Sequence, residues 1–327
     1  MIKFQIVTKF LIERLIYLLK GKDLLSIHDL SVEEVENILD FAAKLKSMQK
    51  SGIEHKILAG KTLGIIFEKS STRTRVSFEV GMYQLGGSAL FLSNRDLQLG
   101  RGEPIKDTAR VLSRYLDGIM IRTFGHDRVI ELAKFAEIPI INGLTDLLHP
   151  CQVLTDLLTI KEHKGKNLKN LKMSYVGDGN NMTNSYLYGA AKVGMTLSVA
   201  TPKNYRPDQN VFENAINDAK ETGAKLNWVE NPIEAVKNAD IVVTDTWASM
   251  GQEAEHEERK KIFAPYQVNS DLLKHADKNV IVMHCLPAYR GEEITEEVFE
   301  NNADVIFDEA ENRLHTQKAI MALTMAD

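Results

Sequence analysis

Short apolar runs alternate with longer amphipathic segments from Lys22 to the end of the chain. The apolar runs predict strands buried on both faces, and their alternation with helices is typical of parallel sheets covered by helices. In a first series the strands are expected at 61–67, 88–92, 118–122 and 138–141. In a second series they are expected at 171–177, 196–200, 226–230, 240–245, 280–286 and 304–307.

Helical patterns occupy the segments between these runs. Ser31 predicts the start of a helix that continues to about Met48, because Glu33 and Glu34 stand in its first turn. Further helices are expected at 74–86, 105–116 and 126–136, and a long helix at 151–162 separates the two series. The fold class is therefore predicted as α/β, with two doubly wound domains, each a parallel sheet with helices on both faces.

Composition agrees with a two-domain protein and argues against some partners. The chain has 327 residues, of which 44% are hydrophobic, so it can form large cores. Its net charge of −5 argues against a nucleic-acid partner, which would require a basic surface. Cys151 and Cys285 are the only cysteines, so a disulfide framework is not expected and a reducing, cytoplasmic location fits. The Cys and His spacings do not predict a zinc site.

The first twenty residues differ from the rest of the chain. They are apolar but contain Lys3, Lys9, Glu13, Arg14 and Lys20, so a membrane-spanning helix is not expected. No small-residue cleavage site follows, which argues against a secretory signal. An amphipathic helix and an extension without a role both remain open for this segment.

Polar residues cluster at the ends of the predicted strands, where ligands bind in open α/β sheets. The segment Ser71-Thr72-Arg73-Thr74-Arg75 joins strand 61–67 to the following helix. Backbone N–H groups at such a turn, with three hydroxyls and two guanidinium groups, suit a phosphate. The simpler alternative is a Ser/Thr helix cap followed by solvated arginines.

Other polar residues lie at the same edge of the predicted sheets, and each has a structural alternative. Arg122 could be a solvated strand end, His149 a residue that starts a helix, Asp245 a turn cap and Cys285 a small buried apolar side chain. The loop 177–181 has features of a dinucleotide-binding turn, but it lacks the third glycine and the later acidic residue. Their joint placement at strand ends favours a binding site.

Three later segments strengthen the phosphate interpretation. They are His149-Pro150-Cys151-Gln152, Asp245-Thr246-Trp247-Ala248-Ser249-Met250-Gly251 and His284-Cys285-Leu286-Pro287-Ala288-Tyr289-Arg290-Gly291. Together with the 71–75 segment, in this order and spacing, they make residues 22–327 resemble the ornithine carbamoyltransferases. Within the carbamoyltransferase superfamily, Ser-Met-Gly and His-Cys-Leu-Pro are similar to the motifs of the ornithine branch and distinguish that branch from the aspartate branch.

The resemblance implies a function and a division of roles. It implies transfer of the carbamoyl group of carbamoyl phosphate to the δ-amine of L-ornithine, giving L-citrulline and phosphate in arginine biosynthesis, with no metal and no organic cofactor. It implies a carbamoyl-phosphate-binding domain at 22–150 and an ornithine-binding domain at 151–308. An N-terminal extension (1–21) of uncertain role would precede them, and a C-terminal helix (309–327) would return to the first domain.

The resemblance also assigns individual residues. Carbamoyl phosphate would be bound by Ser71, Thr72, Arg73, Thr74, Gln98, Arg122, His149, Gln152, Cys285, Leu286 and Arg313. Ornithine would be bound by Asn181, Asp245, Ser249 and Met250. The catalytic residues would be Arg122, His149, Asp245 and Cys285. Gln98 would reach into a neighbouring subunit of a homotrimer, and stacking of trimers into larger assemblies stays open.

Three alternatives remain at this point. A related carbamoyltransferase could act on putrescine or on an N-acylated ornithine, although Ser249-Met250-Gly251 argues against both. A Rossmann-type NAD oxidoreductase could be built around the 177–181 loop. A catalytically silent homologue could serve as a binding protein, although the complete set of matched residues argues against it. No nucleic-acid or membrane partner is expected.

Overall fold

The computed structural model describes residues 18–93, 97, 102–165, 167–248 and 255–327. The chain divides into two compact units, the first comprising residues up to Leu154 together with Arg313–Asp327, and the second Thr155–Asn312. The sequence-based boundaries, after residues 150 and 308, fall in the same two helices as these divisions. Within the described residues, no helix is both long enough and apolar enough to cross a membrane.

The described part of the first unit contains a parallel sheet with strand order β2-β1-β3-β4. Its strands are β1 (Thr62–Phe67), β2 (Ser88–Ser93), β3 (Gly118–Arg122) and β4 (Ile140–Leu144). The helices are α1 (Val32–Lys50), α2 (Thr72–Gln84), α3 (Ile105–Leu112) and α4 (His126–Phe135). A core of aliphatic side chains lies between the sheet and its helices, because β1 and β3 are apolar along almost their whole length.

The predicted start of α1 is confirmed. The side chain of Ser31 accepts a hydrogen bond from the backbone N–H of Glu34, and the Glu34 carboxylate accepts one from the N–H of Ser31. This reciprocal pair satisfies two backbone donors that a helix start leaves without partners.

The described part of the second unit contains a parallel sheet with strand order β7-β6-β5-β8-β9. Its strands are β5 (Lys172–Val176), β6 (Thr196–Ala200), β7 (Lys225–Val229), β8 (Ile241–Thr244) and β9 (Ile281–His284). Its helices are α6 (Asn181–Val193), α7 (Gln209–Thr222), α8 (Pro232–Val236), α9 (His256–Phe263), α10 (Ser270–Leu273) and α11 (Glu296–Asn301). The order reverses between β5 and β8, which is where such sheets form a crevice for ligands.

Helices α5 (Pro150–Lys164) and α12 (Ala303–Met325) carry the chain from one unit to the other. The fold class is confirmed, because each unit has a parallel sheet flanked by helices. One strand prediction is wrong, since residues 304–307 form the first turn of α12. Val305 and Ile306 are buried there as neighbours on a helix, and a short apolar run does not distinguish that arrangement from a buried strand.

Candidate active site

The predicted phosphate-binding loop forms the first turn of α2. Ser71 is the N-cap, and its hydroxyl oxygen accepts a hydrogen bond of 3.3 Å from the N–H of Thr74. The Ser71 hydroxyl in turn donates to the Thr74 hydroxyl oxygen at 3.1 Å. Thr72 is exposed and Arg73 is half-buried. The turn therefore combines hydroxyls, a guanidinium group and the positive end of a helix dipole, as an anion site requires.

Arg313 contacts two other residues that are predicted to bind carbamoyl phosphate. It lies on α12, is buried, and donates to the Oε1 atom of Gln152 and, at 3.1 Å, to the hydroxyl oxygen of Thr74. Gln152 lies in the first turn of α5 and Thr74 in the first turn of α2. The three residues come from distant parts of the sequence, so their meeting supports the predicted grouping.

Arg122 and His149 add charge and a hydrogen-bonding group to the same unit. Arg122 is the last residue of β3, His149 directly precedes α5, and both side chains are buried. Burial holds the pKa of His149 well below its ordinary value, and the positive charges of Arg313 and Arg122 lower it further. The imidazole is therefore neutral at physiological pH and carries a single N–H donor.

The sequence analysis missed Lys69, which lies two residues before Ser71, the start of the predicted phosphate-binding loop. It is buried, forms an ion pair with Asp146, and places its Nζ atom 4.5 Å from the centre of the Phe124 ring. Its position after the carboxyl end of β1 was the available signal. Lys69 adds another cation to a region already rich in positive charge.

Two of the predicted amine-side residues, Asp245 and Cys285, meet at the carboxyl ends of β8 and β9. The thiol of Cys285 donates to Oδ1 of Asp245 at 3.2 Å. The side-chain amide of Asn180 donates to Oδ2 of the same carboxylate at 2.9 Å, while its oxygen accepts from the backbone at the start of α6. Asn180, which hydrogen-bonds to Asp245, was not assigned from the sequence. It directly precedes Asn181, the predicted ornithine-binding residue, which is the first residue of α6.

A buried ion pair supports the loop at residues 177–181, and the sequence analysis did not identify this pair. A terminal nitrogen of Arg259, on α9, donates to Oδ2 of Asp178. Burial nevertheless raises the pKa of Asp178 to about 6, with the Arg259 charge opposing the rise. Gly179 follows, and a Cβ atom there would lie 2.3 Å from the backbone of Arg206, so this close approach requires glycine.

Cys285 is a protonated thiol at neutral pH. Burial raises its pKa well above the ordinary value, and the carboxylates of Asp245, Glu309 and Asp156 raise it further. A thiol of this kind acts as a hydrogen-bond donor and not as a nucleophile.

Asp245, His284 and Cys285 have the chemistry of metal ligands, and their ligand atoms lie within 4.8 Å of one another. Both ring nitrogens of His284 are already used, however. Nδ1 accepts from the N–H of Leu286 at 2.9 Å, and Nε2 lies 2.9 Å from Oε1 of Glu293. A metal would have to break one of these contacts, so the donor set does not fit a resident ion, and we assign none.

Three predicted site residues lie outside the described residues. They are Gln98, Ser249 and Met250. Their assigned roles stay predictions.

Comparison with known proteins decides the family. The model of the carbamoyl-P binding domain of aspartate/ornithine carbamoyltransferases matches residues 22–162, and the model of their Asp/Orn binding domain matches residues 169–324. The chain belongs to the aspartate/ornithine carbamoyltransferase family. The resemblance read from the motifs is thereby confirmed.

Relatives within the carbamoyltransferase family are close. The ornithine carbamoyltransferase of Carboxydothermus hydrogenoformans is 60% identical over 306 residues, which are 94% of this chain and 98% of that protein. The structure of ornithine carbamoyltransferase from Pyrococcus furiosus has a TM-score of 0.90 and 54% identity, and the match covers 94% of this chain and 97% of that one. The anabolic ornithine carbamoyltransferase of Campylobacter jejuni has a TM-score of 0.87 and 46% identity, over 92% of this chain and 97% of that one.

Proposed function

We propose that this chain transfers the carbamoyl group of carbamoyl phosphate to the δ-amine of L-ornithine, giving L-citrulline and phosphate. The observation that carries the proposal is the meeting of Arg313, Gln152 and Thr74 beside the α2 phosphate-binding turn. The names of the close relatives, all ornithine carbamoyltransferases, support the choice of substrates.

In the proposed reaction the neutral δ-amine attacks the carbamoyl carbon. The bond between that carbon and the phosphate oxygen breaks, phosphate leaves with the electron pair, and the amine gives up a proton. Arg73 and the first-turn N–H groups of α2 stabilise the charge that grows on the phosphate. The neutral His149 donates a hydrogen bond to the carbamoyl oxygen, and Arg122 offsets the negative charge that develops there.

The second unit is proposed to bind the amino acid. Asp245 is the anion that an α-ammonium group needs. The Cys285 thiol, which donates to Oδ1 of Asp245, helps to place the δ-amine. The carbonyl groups of Cys285 and Leu286 accept from the carbamoyl NH2. Asn181, Ser249 and Met250 complete the proposed ornithine site.

The decisive experiment is a citrulline-release assay of the purified protein with carbamoyl phosphate and a panel of amines. Ornithine should be the preferred acceptor, and putrescine and N-acetylornithine should react at least a hundredfold more slowly. A preference for either of these amines would replace the proposed substrate. Stabilisation by NAD without any carbamoyl transfer would favour the oxidoreductase alternative.

We also propose that the active protein is a homotrimer in a reducing cytoplasm. Apolar side chains stand exposed on α2 and on β2, the edge strand of the first sheet, and Tyr83 is 81% exposed. The others are Val76, Val80, Leu90 and Phe91. A surface of this kind is typical of a subunit interface. Neither Cys151 nor Cys285 forms a disulfide, which fits a reducing compartment.

Shared active sites would follow if Gln98 serves a neighbouring subunit. The Gln98→Ala and Arg122→Ala proteins should each be impaired, and a mixture refolded in equal amounts should regain activity. Random assembly in a head-to-tail ring leaves about one site in four with both residues intact. Mixed trimers that show only the average of the two variants would contradict the shared site. Gel filtration with light scattering gives the subunit number.

A further inference from the structure

The turn after β9 holds a residue in an unfavourable backbone conformation. Leu286 has a φ of +59°, in the left-handed region that residues other than glycine, asparagine and aspartate rarely adopt. This residue and Cys285 are the two whose carbonyl groups are assigned to the carbamoyl group in the proposed function. Other contacts must therefore stabilise the turn.

The side chain of His284 supplies one of these contacts. The N–H of Leu286 donates to its Nδ1 atom at 2.9 Å, so Nδ1 carries no proton. The ring proton is then on Nε2, which donates to Oε1 of Glu293 at 2.9 Å. His284 is thus a neutral imidazole that bridges the turn to Glu293.

Glu293 and Glu309 fix this bridge in place. Glu293 is fully buried, and its Oε1 also accepts from the N–H of Tyr289 at 2.7 Å. Its backbone oxygen accepts from the N–H of Val268 at 2.8 Å. The N–H of His284 donates to Oε2 of Glu309 at 3.0 Å. The Nε2 end of the His284 ring is therefore attached to one buried carboxylate, and the backbone of His284 to a second one.

We propose that His284, oriented by Glu293, is a positioning residue that sets the turn of Cys285 and Leu286 for the reaction. It acts through the backbone of the turn and does not touch substrate. The ring keeps the Leu286 N–H bound, so that the carbonyl groups of Cys285 and Leu286 keep one direction and the Cys285 thiol stays on Asp245. The catalytic part of this proposal rests on the proposed carbamoyl transfer.

Two substitutions of His284 test the contacts at Nδ1 and at Nε2 separately. In His284→Asn, the side-chain oxygen stands on Cγ as Nδ1 does, so it still accepts from the N–H of Leu286, as asparagine does in Asx-turns. In His284→Gln, the longer side chain still reaches Glu293 with its NH2 group but offers the turn no acceptor on Cγ. Both replacements are polar, and neither carries a charge.

The proposal predicts a difference between these variants. His284→Gln should lower kcat at least tenfold and raise KM for carbamoyl phosphate, with a smaller change in KM for ornithine. His284→Asn should stay within about threefold of the wild type. Thermal unfolding of both variants serves as the control for stability. Equal activity of the two variants, or losses that follow their melting temperatures, would overturn the proposal.

A thiol assay tests the turn without citrulline formation. Alkylation by iodoacetamide is followed by mass spectrometry of the peptides, so that Cys285 is measured separately from the fully buried Cys151. His284→Gln should alkylate at least tenfold faster than the wild type, and His284→Asn within about threefold. If this pattern appears while the wild type makes no citrulline, the proposed function fails and the structural role stands. If citrulline forms and neither assay separates the variants, the positioning role fails.

Glu293 gives a second pair in case the His284 variants do not fold. Glu293→Gln keeps an oxygen that accepts from His284 and from the N–H of Tyr289, whereas Glu293→Leu removes it. The leucine variant should resemble His284→Gln in both assays, and the glutamine variant should resemble the wild type. Identical behaviour of the two Glu293 variants would count against the role of Glu293 in orienting the ring.

Discussion

In the first unit the buried guanidinium of Arg313 donates to the neutral oxygens of Gln152 and Thr74, whereas in the second unit buried Arg259 faces the carboxylate of Asp178. Arg313 is among the residues that we propose to bind carbamoyl phosphate, and these two contacts hold it beside the first turn of α2. Arg259, which faces a carboxylate, serves the structure of the loop it supports. The contacts distinguish the two arginines, which their burial alone would not do.

The titrating side chains follow the same division. Positive neighbours lower the pKa of His149 in the first unit, and negative neighbours raise the pKa of Cys285 in the second. His149 and Cys285 are thus both kept neutral, by burial and by neighbouring charges of opposite sign. The positive surroundings of His149 suit a phosphate, and the negative surroundings of Cys285 suit an ammonium group.

Removal of one first-unit cation should have the largest effect. Arg73→Ala should lower kcat by about 100- to 1,000-fold, because the leaving phosphate gains charge in the transition state. Steady-state kinetics with both substrates varied measure this. Arg110→Ala, at an exposed arginine on α3, is the control and should stay near wild type. A rise in KM alone, with kcat nearly unchanged, would mean that Arg73 only binds.

The anion of the second unit should affect the other substrate. Asp245→Asn should weaken ornithine binding by about 10- to 100-fold, since a charged hydrogen bond contributes about 1.5–3 kcal/mol. Carbamoyl phosphate affinity should change little. Calorimetric titration with each substrate or an unreactive analogue tests this. Equal weakening of both would show that Asp245 serves only as a turn cap.

The pH profile should reflect the amine and not His149. A δ-amine resembles that of lysine, with a pKa of about 10.4, so its neutral fraction rises about tenfold per pH unit below that value. The pKa of His149 is well below its ordinary value, so its ring stays neutral over the same range. The rate at subsaturating ornithine should therefore rise steadily from about pH 6.5 to 8.5. A flat profile would exclude amine deprotonation as the controlling step.

The smallest effect, on stability alone, is expected at a buried lysine that is not among the residues assigned to either substrate. Lys318 is fully buried in the first unit, and its Nζ atom donates to Oε1 of Gln84 at 2.9 Å and lies 3.1 Å from Nε2 of His55. Burial lowers the pKa of Lys318 from 10.5 to about 8. The unfolded chain therefore binds more protons between pH 8 and 10.5, and this group makes the fold more stable as pH rises through that window.

Lys318→Met should remove this dependence. At pH 7 the variant should melt a few degrees higher, because a buried charge is replaced by an apolar chain of similar length. The advantage should shrink as the pH approaches 10.5, where lysine is increasingly neutral in both states. Melting temperatures of both proteins across pH 7–10 measure it. A variant that melts lower at pH 7 would show that the contacts to His55 and Gln84 outweigh the burial cost.

Local patterns were enough to predict the sheets and the strand-to-helix turn that we propose to bind phosphate. Apolar runs marked the strands, and Ser71 follows β1 as the parallel arrangement requires. The strand prediction at residues 304–307 was wrong because three consecutive apolar residues suit a buried helix as well as a strand. The hydrogen bond from Asn180 to Asp245 depends on the backbone at the start of α6, which sequence spacing does not specify. The assignment of Asn181 to ornithine stays a prediction.

Contacts between distant positions were beyond the reach of such patterns. Asp178 and Arg259 are 81 positions apart, and nothing in either segment points to the other. Arg313 was assigned from the family resemblance alone, and only the folded chain shows it beside Thr74. His284 was visible in a motif, but its bridge to Glu293 required the geometry of the turn.

The protonated state of Cys285 has a consequence for oxidative damage. Peroxides attack thiolates, and conversion to sulfenic acid and higher oxides follows the amount of thiolate present. Burial and the Asp245 carboxylate keep that amount very small at neutral pH. The protein can therefore carry a cysteine among its proposed substrate contacts without becoming a sensor of oxidants, and its activity should persist through a peroxide exposure that inactivates enzymes with low-pKa cysteines.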